Sequence, residues 1–115
     1  MYDIKQVLED KLFVRQIEYL KEEIKRSIFK RESKIILNDF SVLFIKEIWK
    51  EEQLHKYSYY WFTANNKLII GWDNAPHHSN IESYPHHKHR EDAIESSNET
   101  DFPQVIEYIN RIFYP

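Results

Sequence analysis

The chain has 115 residues, of which 42% are hydrophobic and 30% are charged, and its formal net charge is −3. This length predicts one domain, residues 1–115, with enough chain for one core, and the charge gives no support to avid non-specific nucleic-acid binding. The absence of cysteine excludes disulfides, thiolate zinc sites and cysteine nucleophiles, while a single glycine excludes glycine-rich phosphate loops and dinucleotide-binding motifs.

The N-terminal segment predicts a short helix. Asp3 and Gln6 have the spacing of a capping box, and apolar residues then repeat at helical spacing, which predicts a helix over residues 3–12. Residues 14–30 fit neither pattern cleanly, and we favour a strand followed by a turn. No apolar run approaches the roughly 20 residues that span a bilayer, and the acidic N-terminus lacks the layout of a signal peptide. We therefore expect a cytoplasmic protein that does not contact membranes.

The middle of the chain predicts strands. Strand-like composition marks residues 34–38 and 42–49, the aromatic run 57–62 and its partner 68–72, with turn chemistry at Asn38-Asp39 and Asn65-Asn66. A second capping pattern at Asp101 and Gln104 opens a C-terminal helix. The predicted fold class is α+β: an antiparallel β-meander of four to five strands with an N-terminal and a C-terminal helix. Exposed strand edges make a homodimer plausible.

The aromatic residues of the third predicted strand admit two interpretations. Tyr57, Tyr59 and Trp61 share one face of the strand, and Tyr60 and Phe62 share the other. Strand aromatics usually form core, which we favour, but an exposed row forms a platform on which nucleic-acid bases stack. Tyr59 and Trp61 are the candidate binding residues under that second interpretation. The charged stretch Lys21–Lys34 contains five basic residues from Lys25 onward, which would track a phosphate backbone if they lay on one side of a strand pair, but we favour a solvated surface.

Residues 73–100 are predicted to be irregular, and a loop of this length tends to be functional or mobile. Five of the six histidines fall here, within thirteen residues: His77, His78, His86, His87 and His89. Imidazole exchanges protons near neutrality because its unperturbed pKa is about 6.5. Asp73, at the end of the last predicted strand, is placed to orient an imidazole, and Lys88 and Arg90 add positive charge. The acidic run from Glu91 to Glu99 is interpreted as a solvated loop.

Three hypotheses account for the histidine segment. In the first, two histidines exchange protons with a phosphodiester while Lys88 or Arg90 stabilises the charge that develops on it. In the second, histidines and Asp73 bind a divalent metal, although their spacing matches no standard zinc pattern. In the third, the histidines are solvated loop residues with no chemical role.

Three strings carry a resemblance to a known family. Lys56–Trp61, Trp72–His78 and Pro85–His89 together resemble the signature of the TumE family, which are toxins of type II toxin–antitoxin pairs. The resemblance extends from about Val42 to the C-terminal helix. Family members often have glycine in the hairpin turns, where this chain has Asp39-Phe40 and Asn65-Asn66.

The resemblance implies a toxin that cleaves RNA and is restrained by a helix-turn-helix antitoxin of the TumA type. We predict a metal-independent endoribonuclease without a cofactor, in which Asp73 orients an imidazole, histidines act as general base and acid, and Lys88 stabilises the phosphorane. The candidate catalytic residues are Asp73, His78, His86, His87, Lys88 and His89. The candidate binding residues are Asn74, His77, Arg90, Tyr59 and Trp61. The alternative is a non-catalytic or metal-binding toxin that inhibits a cellular target by binding it.

Overall fold

The computed structural model describes all 115 residues, Met1–Pro115, as one antiparallel sheet of seven strands with a helix at each end of the chain. The elements are α1 (Ile4–Leu8), β1 (Val14–Lys25), β2 (Ile28–Leu37), β3 (Val42–Lys50), β4 (Gln53–Phe62), β5 (Leu68–Asp73), β6 (His87–His89), β7 (Ile94–Ser96) and α2 (Phe102–Phe113). The strands lie side by side in chain order, so that β1 and β7 form the two edges. Neither helix is long and apolar enough to cross a membrane.

The predicted α+β class with two terminal helices is confirmed, but the predicted number of strands is wrong. Residues 14–30, which the sequence left ambiguous, form β1 and the start of β2, and β1 pairs with β2 along nearly its whole length. Two further strands, β6 and β7, lie in the segment that was predicted to be irregular. Each has only three residues, which is too short for an alternating pattern to be recognised.

Both helices begin at the predicted caps. The Asp3 carboxylate accepts hydrogen bonds from the backbone N–H groups of Lys5 and Gln6. Asp101 accepts from the N–H of Gln104 at 3.0 Å, and the Gln104 side chain accepts in return from the N–H of Thr100 at 2.7 Å. The first helix ends at Leu8, earlier than predicted, because two successive turns then bring Phe13 into the core.

The two faces of the sheet differ. Alternate residues of β2, β3 and β4 are buried under α1 and α2, on the surface that we call the helix face. The residues between them are half-buried or exposed and define the open face. The open face of these strands carries Lys30, Glu32, Lys34, Phe44, Lys46, Ile48, Lys56, Ser58, Tyr60 and Phe62.

The aromatic row that was proposed to bind nucleic acid lies on the helix face. Tyr59 is fully buried and Trp61 is 3% exposed, and both belong to the core cluster with α2. The core interpretation is therefore confirmed, and the prediction of Tyr59 and Trp61 as binding residues is wrong. The alternate row, Tyr60 and Phe62, is the one that remains accessible. Alternation alone does not show which row faces the helices.

A buried carboxylate ties the sheet to both helices. Glu47 of β3 pairs with Arg31 at 2.9 Å and accepts from the Tyr59 hydroxyl at 2.6 Å, from the Trp49 indole at 3.2 Å and from the Tyr2 hydroxyl. The Tyr2 hydroxyl in turn accepts from the first N–H of α2. Arg31 is only 3% exposed, so the interpretation of its basic stretch as solvated surface is wrong at this residue.

The hairpin turns form without glycine. Phe40 and Asn66 adopt left-handed backbone conformations, with φ of 65° and 66°. Asn tolerates this region better than a bulky residue does, and next to Phe40 the Asp39 carboxylate stabilises the turn by accepting from the N–H of Ser41 at 2.9 Å. The turns lie where the sequence predicted them, with glycine replaced by side-chain hydrogen bonding.

We expect Glu47→Ala to lower the free energy of unfolding by about 3–5 kcal/mol, because it removes the buried partner of Arg31 and leaves that buried charge with only the exposed carboxylate of Glu22. The measurement is urea denaturation. The control is Glu32→Ala, which removes an exposed carboxylate from the neighbouring strand and should change stability by less than about 0.5 kcal/mol. Equal effects of the two substitutions would contradict a structural role for the buried network.

Candidate active site

The end of β5 carries a carboxylate that accepts three hydrogen bonds and contacts a fourth group. Asp73 Oδ1 accepts from the N–H of Ala75 at 3.0 Å and lies 2.9 Å from His87 Nε2. Its Oδ2 accepts from the Tyr60 hydroxyl at 2.7 Å and from His89 Nε2 at 3.2 Å. These contacts at both oxygens leave this carboxylate little freedom to rotate.

Strand pairing explains this arrangement. Asp73 pairs with His87, and Gly71 pairs with His89, so both imidazoles lie beside β5 on the open face. Tyr60 lies opposite Gly71 on β4, and its ring leans over the glycine toward the carboxylate. His87 and His89 are two residues apart on β6, as Asp73 and Gly71 are on β5, so all four lie on the same face of the sheet.

His78 completes a cluster of three imidazoles. It lies in the connection between β5 and β6, which returns across the open face, and its ring centroid is 5.0 Å from that of His87 and 6.0 Å from that of His89. The His87 and His89 centroids are 4.7 Å apart. We call the set of Asp73, Tyr60, His78, His87 and His89 the histidine–aspartate cluster.

The three imidazoles differ in which nitrogens are free. His87 is 2% exposed, and besides Asp73 it contacts the carbonyl oxygen of Pro85 through Nδ1 at 2.9 Å. Both of its nitrogens therefore face acceptors, and the ring is closed to solvent. His89 uses only Nε2, which leaves its Nδ1 available, and the side chain of His78 makes no hydrogen bond. His78 and His89 are thus the two histidines that can act on a ligand.

Burial shifts the proton affinities in the cluster. It lowers the pKa of His89, against the raising effect of the Asp73 charge, and the neighbouring His87 and His78 lower it further. Burial also raises the pKa of Tyr60, as do its hydrogen bond to Asp73 and that residue's charge. Neutral His89 donates from Nε2 to Asp73 and keeps a lone pair on Nδ1, which is the protonation state of a general base.

Several predicted site residues lie outside the cluster. Lys88 points to the helix face, where its ammonium group lies 3.2 Å from Glu99 and 5.0 Å from the Tyr108 ring centroid. Arg90 pairs with Glu95 and bonds to the Tyr108 hydroxyl. Glu99, which was predicted to lie in a solvated loop, is 8% exposed and also accepts from Trp72. The structure therefore does not bring these two cations to the imidazoles.

Three more predicted site residues lie outside the histidine–aspartate cluster: His86, His77 and Asn74. The Nδ1 of His86 contacts the Tyr57 hydroxyl at 2.8 Å on the helix side of the sheet, and burial, with the nearby His87, lowers its pKa. His77 is exposed. Asn74 bonds to the N–H of Tyr57 and the carbonyl of His55, which extends the β4–β5 ladder by one residue.

Sequence reasoning missed Tyr60 and Gly71. A Cβ added at Gly71 would lie 2.2 Å from Cε1 and 2.4 Å from Cδ1 of Tyr60, so the only glycine of the chain makes room for the ring whose hydroxyl reaches Asp73. A lone glycine inside a strand marks close approach of a neighbouring group, and this was the available signal.

Three imidazoles at this spacing can also bind a metal ion. The ligand atoms of His78, His87 and His89 lie within 4.8 Å of one another. Metal-bound histidines often donate their other nitrogen to a backbone carbonyl, as the Nδ1 of His87 does toward Pro85. A tetrahedral zinc ion holds nitrogens at about 2.0–2.1 Å, which puts them about 3.3 Å from one another, so the most distant pair of ligand atoms would have to approach by about 1.5 Å.

We expect Gly71→Ala to destabilise the protein by about 1–3 kcal/mol, because the added methyl group overlaps the Tyr60 ring. In a Tyr60→Ala background the same substitution should cost much less, since the ring is gone. The measurement is the free energy of unfolding of the four proteins in this double-mutant cycle. An equal cost in both backgrounds would show that the glycine does not accommodate Tyr60.

Comparison with known proteins gives a family. A family model described as Toxin TumE matches residues 4–113. No curated protein and no solved structure matches the chain. The match includes α1 and the first two strands, which lie before the part of the chain where the sequence strings gave a resemblance, as well as the whole histidine–aspartate cluster. The chain belongs to the TumE toxin family.

Proposed function

We propose that this toxin cleaves RNA by acid–base catalysis at the histidine–aspartate cluster, without a metal. The observation that carries the proposal is the hydrogen bond from His89 Nε2 to Asp73, which leaves Nδ1 of a neutral imidazole as a free proton acceptor beside His78. A carboxylate that orients a histidine base in this way is a recurring catalytic arrangement. The family supports the toxin role, and the RNA-cleaving chemistry is the proposal.

The proposed reaction uses the 2′-hydroxyl of RNA as the nucleophile. His89 Nδ1 removes the hydroxyl proton as the oxygen attacks phosphorus, and the bond from phosphorus to the 5′-oxygen breaks. Protonated His78 supplies a proton to the departing oxygen. The products are a 2′,3′-cyclic phosphate and a 5′-hydroxyl, and proton transfer back from His89 to His78 restores the starting state.

The other members of the cluster act as positioning residues. Asp73 orients His89 and favours its Nε2–H tautomer, while Tyr60 and the N–H of Ala75 hold the carboxylate. His87, buried beside Asp73, packs against His78 and His89 and helps to fix the positions of their rings. Lys88 has no part in this scheme, because its ammonium group lies on the opposite face beside Glu99.

We expect the purified toxin to cleave a single-stranded RNA in excess EDTA, and His89→Ala and His78→Ala each to slow cleavage by about 10²-fold or more. The matched control is His77→Ala, which removes the exposed histidine next to His78 and should leave the rate unchanged. An RNA with 2′-deoxyribose at the cleaved position should resist, since it lacks the nucleophile. The assay follows a labelled oligonucleotide on a denaturing gel.

Two results of this assay would overturn the proposed mechanism. One is equal cleavage rates for wild type, His78→Ala and His89→Ala, and the other is cleavage of the 2′-deoxy substrate. Thermal melting of each variant shows whether a loss of activity reflects unfolding.

The second candidate is a metal-binding toxin, favoured by the spacing of the three imidazoles. His78, His87 and His89 would hold the ion, which would supply Lewis-acid chemistry or a structural link between loop and sheet. We expect this candidate to reveal itself as one equivalent of zinc, measured by elemental analysis of freshly purified protein, that is lost in His78→Ala and retained in His77→Ala. Full cleavage activity after chelation and confirmed metal removal would exclude a catalytic metal.

A toxin of this family implies an antitoxin as its partner. We expect a helix-turn-helix protein of the TumA type, encoded next to the toxin gene, and a cytoplasmic site of action, because cellular RNA is there.

A further inference from the structure

The open face beside the cluster carries unpaired positive charge. A groove of about 380 Å³ lies across β2, β3 and β4, and its charged lining on this face consists of Lys30, Lys46, Lys56 and Glu32. None of the three lysines forms a salt bridge or a side-chain hydrogen bond, unlike Lys34, which pairs with Glu18. Three ammonium groups against one carboxylate make this a local positive surface on a chain whose net charge is −3.

The groove is continuous with the histidine–aspartate cluster. Lys46 pairs with Ser58, and Ser58 pairs with Asp73, so these three residues form one row across neighbouring strands. Adjacent strands lie about 4.8 Å apart, which puts the backbone of Lys46 about 10 Å from that of Asp73. Lys56 lies on the strand between them, two residues from Ser58. If one phosphate of an RNA strand lies at the imidazoles, the neighbouring phosphates therefore lie near Lys46 and Lys56.

An aromatic row runs beside the lysines and also ends at the cluster. The ring centroids of Phe44 and Phe62 lie 5.9 Å apart, edge to face, and those of Phe62 and Tyr60 lie 6.4 Å apart. The Tyr60 ring stacks on that of His89, with a centroid distance of 6.0 Å. Phe44 is 36% exposed, at the outer end of the row. Accessible aromatic side chains on a sheet, flanked by cations, are the usual means of binding unpaired bases and their phosphates.

We propose that the open face of β2–β4 is the substrate-binding surface for single-stranded RNA, with phosphates on Lys46 and Lys56 and a base stacked on Phe44. The strand crosses the sheet at an angle to the β-strands and delivers one phosphodiester to His78 and His89. This inference rests on the proposed function, because it takes the cluster as the place of cleavage. Unpaired bases are required, since a duplex presents no base face to Phe44.

The experiment measures binding separately from cleavage. A fluorescein-labelled single-stranded RNA of twelve nucleotides is titrated, in EDTA, with the His89→Ala protein, and fluorescence anisotropy is recorded at several salt concentrations. The same measurement is made with Lys46→Ala/Lys56→Ala, with Phe44→Ala and with Lys5→Ala/Lys67→Ala in that background. The last variant removes two exposed lysines outside the groove and leaves the total charge equal to that of the first.

Removal of Lys46 and Lys56 should make the dependence of log K on log salt less steep by about 1.4, because each phosphate that a lysine neutralises adds about 0.7 to the slope. Phe44→Ala should bind roughly tenfold more weakly, because the base no longer has a ring on which to stack. The Lys5→Ala/Lys67→Ala control should match its parent. A self-complementary duplex of equal length should bind more weakly than the single strand and should be insensitive to Phe44→Ala.

Equal affinities and salt slopes for all four proteins would overturn the proposed surface, as would a duplex that binds better than the single strand. Absence of binding by the parent at low salt would do the same. Failure of cleavage with intact, Lys46- and Lys56-dependent binding would instead count against the proposed chemistry and leave the surface supported.

Discussion

The site depends on the hydrogen bonding of one carboxylate, that of Asp73. Its two oxygens accept from His89, Tyr60 and the N–H of Ala75 and contact His87, so the orientation of each neighbour depends on the same group. Asp73 is the last residue of β5, so the sheet fixes the position of its backbone. The chain that follows leaves the sheet and then brings His78 back against His87. The result is a firmly held carboxylate beneath the irregular connection that carries His78.

The alternation of strand residues gives the sheet two different faces, the helix face and the open face. On the helix face Glu47 forms an ion pair with Arg31 and accepts hydrogen bonds from Tyr59 and Tyr2. Every buried polar side-chain atom of the protein has a hydrogen-bond partner. On the open face the histidines lie beside Tyr60 and, farther along the sheet, the unpaired lysines. Lys88 lies between His87 and His89 in sequence yet faces α2, because successive strand residues point to opposite sides. The same alternation thus assembles the imidazoles and separates them from the nearest cations in sequence.

Sequence alone predicted the parts with strong periodicity. The fold class, both helix starts and the strands at residues 34–38, 42–49, 57–62 and 68–72 were all recognisable from capping patterns and alternation, and the histidine segment stood out by composition. The short strands β6 and β7 were not, because three residues carry no period and their pairing depends on contacts with β5. Nor could the sequence show that His86 faces Tyr57 while His87 faces Asp73, since this required the register. Tyr60 was overlooked in favour of Tyr59 and Trp61 because both faces of β4 are aromatic, and only the packing of α2 decides which is buried.

The most direct test of this account is the protonation of the His89 ring, measured by long-range ¹H–¹⁵N correlation of the imidazole nitrogens in ¹⁵N-labelled, metal-free protein. The account predicts that neutral His89 carries its proton on Nε2, bonded to Asp73, and has an unprotonated Nδ1. A proton on Nδ1 of neutral His89 would contradict it, since the nitrogen proposed to accept the proton from RNA would then be occupied and Asp73 would not be holding the ring.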